Sequence, residues 1–363
     1  MHFLFYAPQM AAYGGMERHV CSLAVAAAQA GHHVRLLTTS RSLGADLRAE
    51  LTGAGVDFRE LTRDRGHAGK VAKLAWLGWE TLRARATPWD VIYTNAQSAL
   101  ARTVWRARRQ GTRVIHHHHT AADAGEQATW SPAFRRVLAA APELVGCSEA
   151  TSRALNDATG RHDARFLPYL TRCPVAADAV PTRGPGTPLR FGFTGRLIPE
   201  KGIAVITRLA AEPALRGVEW HIHGAGEAYP PEYFAGRPNL VYHGAYRSAD
   251  EHAAALLGLD ALTLFSTHNE GMPLSLIEGL SAGLPLVATD RGGTRELAGS
   301  PADTVIIPAD ADYATTVRCV QALAEAIRSG QTSRAGQRAI YDRSYAPEVV
   351  ARRWLADFTG GRP

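Results

Sequence analysis

Short apolar, β-branched runs alternate with longer amphipathic stretches through most of the chain. In the first half, the runs predict strands over residues 2–7, 33–38, 91–94, 113–117 and 144–147. Residues 16–30, 69–85 and 98–110 between them carry the three-to-four-residue apolar spacing of helices. A stretch rich in Pro, Gly and Ala over 171–188 breaks the rhythm and reads as an interdomain linker. Alternation resumes with strands at 189–194, 218–223, 240–243, 261–265, 284–288 and 304–307, and helices at 202–211, 249–257 and 273–282. Successive parallel strands need a crossover helix, so this order predicts α/β architecture with parallel sheets covered on both faces. The expected layout is two doubly wound, Rossmann-like domains: residues 1–172, a linker over 173–188, and residues 189–345. The tail from 312 to 358 reads as helical throughout. Its last part, 346–363, would return to pack on the first domain through Trp354, Leu355 and Phe358. Ligands are expected at the carboxyl ends of the strands, in a cleft between two such edges.

Length supports two domains, since 363 residues exceed one ordinary core. A hydrophobic content of 46% with 20% charged residues excludes a disordered chain. No apolar run approaches the roughly 20 residues that a spanning helix requires. Residues 1–9 are apolar but lack a basic leader and a small-residue cleavage site, which predicts a first strand and a cytoplasmic protein. Cys21, Cys147, Cys173 and Cys319 are scattered without metal spacing and read as free thiols. Charge is uneven: the first 180 residues carry 22 basic against 15 acidic side chains, the rest 18 against 19. An anionic partner of the first half fits that imbalance. Nucleic acid does not, because the basic residues lack an aromatic-studded face. Only Lys70, Lys73 and Lys201 are lysines among 40 basic residues.

The segment 266–293, STHNEGMPLSLIEGLSAGLPLVATDRGG, holds the strongest chemical signal. It follows an apolar strand, so Glu270 falls in a loop at a strand's carboxyl end and Glu278 inside the next helix. Pro273 suits the first helical position, and Gly271 permits close approach of backbone to ligand. Free helix amides between two carboxylates can hold phosphate while the carboxylates accept from hydroxyls. After the strand at 189–194 comes GRLIPEKG, which aims Arg196 and Lys201 at the same edge. Pairing with a neighbouring carboxylate is the plainer reading of Lys201. Gly224 and Gly226 form a further Gly-rich turn. Asp310-Ala311-Asp312 has the D-x-D pattern of metal-binding transferases but precedes a helix, where Asp is a favoured cap, so no metal is implied. In the run His116–His119, successive side chains of an extended strand point to opposite faces, so four imidazoles cannot converge on one ion.

GRLIPEKG, HIHGAGE, the two glutamates of EGMPLSLIE and GLPLVATDRGGTREL together resemble the donor half of glycosyltransferase family 4. The likeness is sharpest over 191–297. It implies a GT-B fold and a retaining transfer from a UDP- or GDP-sugar to an acceptor hydroxyl on a glycan, glycolipid or small glycoside, with no metal or cofactor. The implied catalytic set is His119, Arg196, Lys201 and Glu270. Donor binding falls to Gly14, Gly15, His118, Gly195, Gly224, Gly226, Gly271, Met272, Pro273, Leu274 and Glu278. The loop from Ala12 to His19 would lie against the diphosphate; His119 beside Thr120 is the best match to a sugar-binding histidine, with His118 its competitor. Two departures stand out: Leu167-Pro168-Tyr169-Leu170 replaces Asn-Gly-Val-Asp, and Met272 replaces Phe. A GT-B nucleotide-sugar epimerase is the alternative enzyme, disfavoured by the spacing of the two glutamates. A non-catalytic sugar-binding protein is the alternative of another class, opposed by the Arg196 and Lys201 pair.

One segment has two readings. Residues 69–85 set Leu74, Trp76, Leu77, Trp79 and Leu82 among Lys70, Lys73, Arg83 and Arg85. The preferred reading turns the apolar residues to the core and the basic ones to water. The other rests the helix on an anionic membrane, at its inner face.

Overall fold

A strand buried on both faces needs a continuous apolar run, and β1 (His2–Ala7) supplies one, with Phe3 through Ala7 all fully buried. The structure is a computed structural model describing residues 1–360 except 9, 11–13, 40–42, 62–65, 181–183 and 185–187, and without the side chains of 66–68 and 70. Parts of the expected linker, Ala12 and Tyr13 of the expected diphosphate loop, and the Lys70 side chain therefore lie outside the described residues. The chain divides into two units, Met1–Arg172 with Pro347–Pro363, and Cys173–Ala346.

The first unit holds a parallel sheet of β1, β2 (His33–Thr38), β3 (Asp57–Glu60), β4 (Val91–Asn95), β5 (Arg113–His118), β6 (Glu143–Gly146) and β7 (Arg165–Phe166), in spatial order 3-2-1-4-5-6-7. The second holds β8 (Leu189–Thr194), β9 (Val218–His223), β10 (Leu240–Gly244), β11 (Ala261–Leu264), β12 (Leu286–Thr289) and β13 (Thr304–Ile307), ordered 10-9-8-11-12-13. Each order reverses beside the unit's first strand, between β1 and β4 and between β8 and β11. Connections leave such a point over opposite faces and open a crevice at the strands' carboxyl ends.

The helix Pro347–Phe358 completes the first unit's core. Trp354 and Phe358 are fully buried beside Phe3, Phe5 and Tyr93. The Trp354 indole donates to Pro168 O at 2.8 Å, and Arg165 grips Asp357 through two hydrogen bonds of 2.9 and 2.8 Å.

Three expectations are corrected. Residues 98–110 form only a short helix, Ala101–Val104, and a 3-10 turn, Trp105–Ala107. Ser98 turns the chain there, its hydroxyl accepting from the Leu100 amide at 3.2 Å. The tail is three helices, Tyr313–Arg328, Arg334–Ser344 and Pro347–Phe358, interrupted at Gly330 (φ 71°) and before Pro347, whose ring disfavours helix at Ala346. The helix Gly66–Ala84 also departs from its core-facing reading. Leu77, Glu80, Thr81 and Ala84 are buried, whereas Val71, Leu74, Trp79 and Leu82 are 71, 52, 60 and 60% exposed.

Candidate functional site

The crevice of the second sheet is framed by the loops after β8 and β11. The Thr267 amide donates to Glu200 O at 2.9 Å, which fastens one loop to the other. Glu270 sits between them, only 7% exposed. Lys201 Nζ donates to both of its carboxylate oxygens, at 2.6 and 2.7 Å, and the Ser266 hydroxyl adds a third bond at 2.5 Å. From the far side, the Gly293 amide donates to Glu270 O at 3.0 Å, and Glu270 bridges Gly292. The glutamate is thus fixed through side chain and backbone together. Two of the three donors on the Lys201 ammonium are engaged by Glu270, so the plainer reading of this lysine is part of the geometry. Arg196 differs: it is exposed, and its side chain has no hydrogen-bond or ion-pair partner among the described residues.

Gly195, Gly224 and Gly226 serve to bring two turns into backbone contact. A Cβ on Gly224 (φ +153°) would lie 1.8 Å from Gly195 O, and one on Gly226 would lie 2.1 Å from Leu197 O. The Gly195 and Leu197 amides donate to His223 O and Ala225 O, each at 3.0 Å. Met272 and Pro273 are buried, and Gly271 and Leu274 partly so. Pro273 is the cap of the helix Leu274–Ser281 rather than its first residue. Leu276 and Ile277 bond back to Pro273 O, which leaves the Leu274 and Ser275 amides without helical acceptors. Glu278 Oε2 lies 3.5 Å from His252 Nε2, and Tyr246 stacks on that imidazole at 4.1 Å and 3°. Sequence reasoning passed over Tyr246 and His252, for neither belongs to a recognisable spacing. Asp312 caps the helix Tyr313–Arg328, accepting from the Thr315 amide at 2.7 Å.

In the first unit, Gly14 caps the helix Gly15–Gln29. A Cβ at Gly14 would meet Glu17 Oε2 at 2.0 Å, so the chain's own carboxylate already lies over this helix start. The four histidines divide between the faces of the sheet. His116 and His118 point toward Phe134, with ring centroids 6.0 Å away in both cases. His118 is fully buried and bonded to Glu126 at 2.8 Å. Burial alone would raise the Glu126 pKa, but the bond and charge of His118, with Thr120 and the Ala122 amide, outweigh it and bring the group to about 2. That packing makes His118 part of the core, which separates it from the expected donor role. His117 and His119 face the other way, 4.1 Å apart, with His117 Nδ1 2.8 Å from the Tyr93 hydroxyl. His119 is partly exposed, stacks on Tyr169 at 5.3 Å, and keeps a buried Nδ1 without a hydrogen-bond partner among the described residues.

The departing segment 167–170 has a local use. Tyr169 donates to His119 O at 2.6 Å, and the Leu170 amide donates to His19 Nδ1 at 2.8 Å. Burial lowers the His19 pKa to about 3, which keeps that ring neutral and able to accept.

Two parallel-sheet units of this topology, with a glutamate-bearing loop at the second unit's switch point, define a GT-B type glycosyltransferase fold. The model of Glycosyltransferase Family 4 matches residues 13–168, and that of Glycosyl transferases group 1 matches residues 188–329. The chain belongs to the family 4 glycosyltransferases of the GT-B class. A GDP-mannose-dependent alpha-mannosyltransferase of Mycobacterium tuberculosis is 38% identical over 112 residues, which span 31% of this chain and 28% of that relative's length. Among solved structures, Anabaena HepE in complex with UDP and glucose superposes with a TM-score of 0.72 at 18% identity, covering 99% of this chain and 100% of that one. The lipopolysaccharide outer core galactosyltransferase WaaB, in its apo form, gives a TM-score of 0.73 at 16% identity, with 99% of each chain covered.

Proposed function

We propose that this protein moves a sugar from a nucleoside diphosphate to an acceptor hydroxyl with retention at the anomeric carbon, without a metal or organic cofactor in the transfer. The observation that carries the reading is Glu270, fixed by Lys201, Ser266 and Gly293 at the switch point of the second sheet. Family membership supports the reaction class. The GDP-mannose relative and the UDP-bound neighbour support a donor of the UDP- or GDP-sugar type.

In this reading Arg196, the remaining donor of Lys201 and the Leu274 and Ser275 amides stabilise charge on the departing diphosphate. Preorganised donors of this kind commonly supply the largest share of catalysis. Glu270 accepts from sugar hydroxyls and Glu278 from ribose hydroxyls. The leaving phosphate takes the acceptor's proton on the face it vacates, so neither glutamate needs to act as nucleophile or base. Asp312 caps a helix through one carboxylate oxygen, which supports reading the D-x-D pattern as a cap. The assignments of Gly14, Gly15 and His119 rest on the family resemblance alone.

A thermal-shift screen of UDP- and GDP-sugars tests the donor. A true donor at 100 times its Kd stabilises the fold by about 2.7 kcal/mol. Release or transfer of labelled sugar must follow for the same compound. Binding without turnover would favour a sugar-binding protein, and no shift with any nucleotide-sugar would remove the proposal.

The exposed side of the helix Gly66–Ala84 favours peripheral contact with an anionic membrane at its cytoplasmic face, where a lipid-linked acceptor would be met. Val71, Leu74, Trp79 and Leu82 follow helical spacing along one exposed stripe. Arg83 and Arg85 flank it, and Arg102, Arg106 and Arg108 of the neighbouring segment line an open groove with Arg136 of the helix Pro132–Ala140. Among the described residues no helix is long and apolar enough to cross a membrane. The protein should sediment with phosphatidylglycerol vesicles and not with phosphatidylcholine, more weakly as salt rises. Replacing Trp79 and Leu82 with Ser should weaken that partition by on the order of tenfold or more. Absence of binding to the anionic vesicles would end the idea.

A further inference from the structure

The far edge of the second sheet carries three imidazoles that sugar transfer does not use. His221 and His223 lie two residues apart on β9 and so share a face. β10 runs parallel to β9, and a shift of register between Tyr242 and Gly244 sets His243 beside them. His243 Nε2 is 2.9 Å from His221 Nδ1, and the His223 and His243 rings stack at 4.2 Å and 3°. One nitrogen from each of the three rings lies within 4.8 Å of the other two.

The carboxylate of Glu219 settles the proton positions. Its Oε2 lies 2.8 Å from His221 Nε2, and an ionised carboxylate only accepts, so Nε2 carries the hydrogen. His221 Nδ1 therefore presents its lone pair toward His243. A metal-ligating histidine needs this arrangement, with one nitrogen bonded to a carboxylate and the other free to coordinate. Two nitrogens sharing a tetrahedral ion with bonds of about 2.0–2.1 Å would stand roughly 3.3 Å apart. The observed 2.9 Å needs only a small opening. His243 is exposed, which leaves an entry path and a coordination position for water.

We propose that His221, His223 and His243 bind one divalent transition-metal ion, with Glu219 as the positioning residue for His221. Imidazole ligands select ions of the zinc, copper, nickel and cobalt group over magnesium or calcium. The site stands apart from the reacting atoms, and its effect would be on backbone. His223 leads directly into Gly224, whose amide donates to Gly244 O at 2.8 Å, while His223 O accepts from Gly195. An ion here would cross-link β9 and β10 at the root of the Gly224–Gly226 turn.

The test uses the full chain without a polyhistidine tag, with Zn²⁺ alone in equilibrium dialysis and Co²⁺ alone in visible absorption. The expected result is one equivalent of Zn²⁺ and a tetrahedral Co²⁺ band. His243→Asn, at an exposed position, should weaken binding at least tenfold and the His221→Asn, His243→Asn pair should abolish it, each with an unchanged circular dichroism spectrum. The exposed His162→Asn control should bind as wild type. Glu219→Gln should weaken binding by about 10–100-fold while retaining the band. Failure of the wild type to take up Zn²⁺ at about 100 μM, set against the far tighter binding usual for protein zinc sites, overturns the proposal. So does wild-type affinity in the double variant.

Discussion

Turnover should fall by about 10²–10³-fold when Lys201 is replaced with Ala, the loss typical of removing one preorganised donor from a developing anion. The same change has a second consequence that must be separated from the first. Lys201 is the cation against Glu270, and the two side chains are only 19 and 8% exposed. Leaving such a carboxylate without its partner costs up to about 3–5 kcal/mol of stability. A double variant, Lys201→Met with Glu270→Gln, removes both charges and keeps both shapes. Its melting temperature should return toward wild type, while its turnover stays low. Recovery of turnover in the double variant would show that Lys201 serves only to neutralise Glu270, and the diphosphate assignment would fall. Arg196→Ala gives a cleaner reading, because the side chain is exposed without a partner among the described residues. It should lose turnover with little change in melting. Near-normal rates in both Lys201→Ala and Arg196→Ala would sink the electrostatic account.

The second large effect is expected at Gly292. Its φ is +56°, and a Cβ there would stand 2.0 Å from Glu270 O. Backbone in this region costs a non-glycine residue about 1–3 kcal/mol, before any steric clash is counted. The clash cannot be relieved by rotating a side chain, since the atom struck is a backbone carbonyl. Gly292→Ala must therefore push the Glu270 loop away from Gly293. A displacement of about 1 Å at a positioning group can cost 10²-fold in rate. We expect that loss in turnover with a clear drop in melting temperature, and a donor affinity weakened through Glu270. Gly31→Ala is the comparison: its φ is +82°, but no atom lies within 4 Å of the added Cβ. It should destabilise through strain alone and keep its turnover. Equal rates in the two variants would remove Gly292 from the site.

Much of the second unit was legible because chemistry and periodicity coincide there. Its inner strands β8, β11 and β12 are mainly apolar, β9 alternates apolar with polar residues, and the loops after β8 and β11 carry Gly, Pro, Lys and Glu in an order few other folds require. β3 and β7 were missed for a physical reason. Both are edge strands; β3 contains only Phe58 as an apolar residue, and β7 is two residues long. The helix Gly66–Ala84 defeated the pattern in another way. It has apolar side chains on two stripes, and periodicity cannot say which one the core takes. Leu77, Thr81 and Ala84 won, and Glu80 went in with them. The three-histidine cluster was invisible because spacing reports neighbours along the chain. His243 joins His221 and His223 only through the pairing of β9 with β10.

The placement of the helix Pro347–Phe358 bears on how the chain reaches its fold during synthesis. Residues 173–346 are contiguous, and that unit can close its core as soon as they leave the ribosome. The first unit is made first but cannot be finished first. Until Val350, Trp354 and Phe358 arrive, the nascent polypeptide must hold a surface that includes Phe3, Phe5 and Tyr93 open to solvent. The usual order, in which the leading domain folds before the one behind it, is thereby reversed at its last step. A ribosome stalled anywhere before residue 350 would display an incomplete leading half, a natural target for chaperone binding.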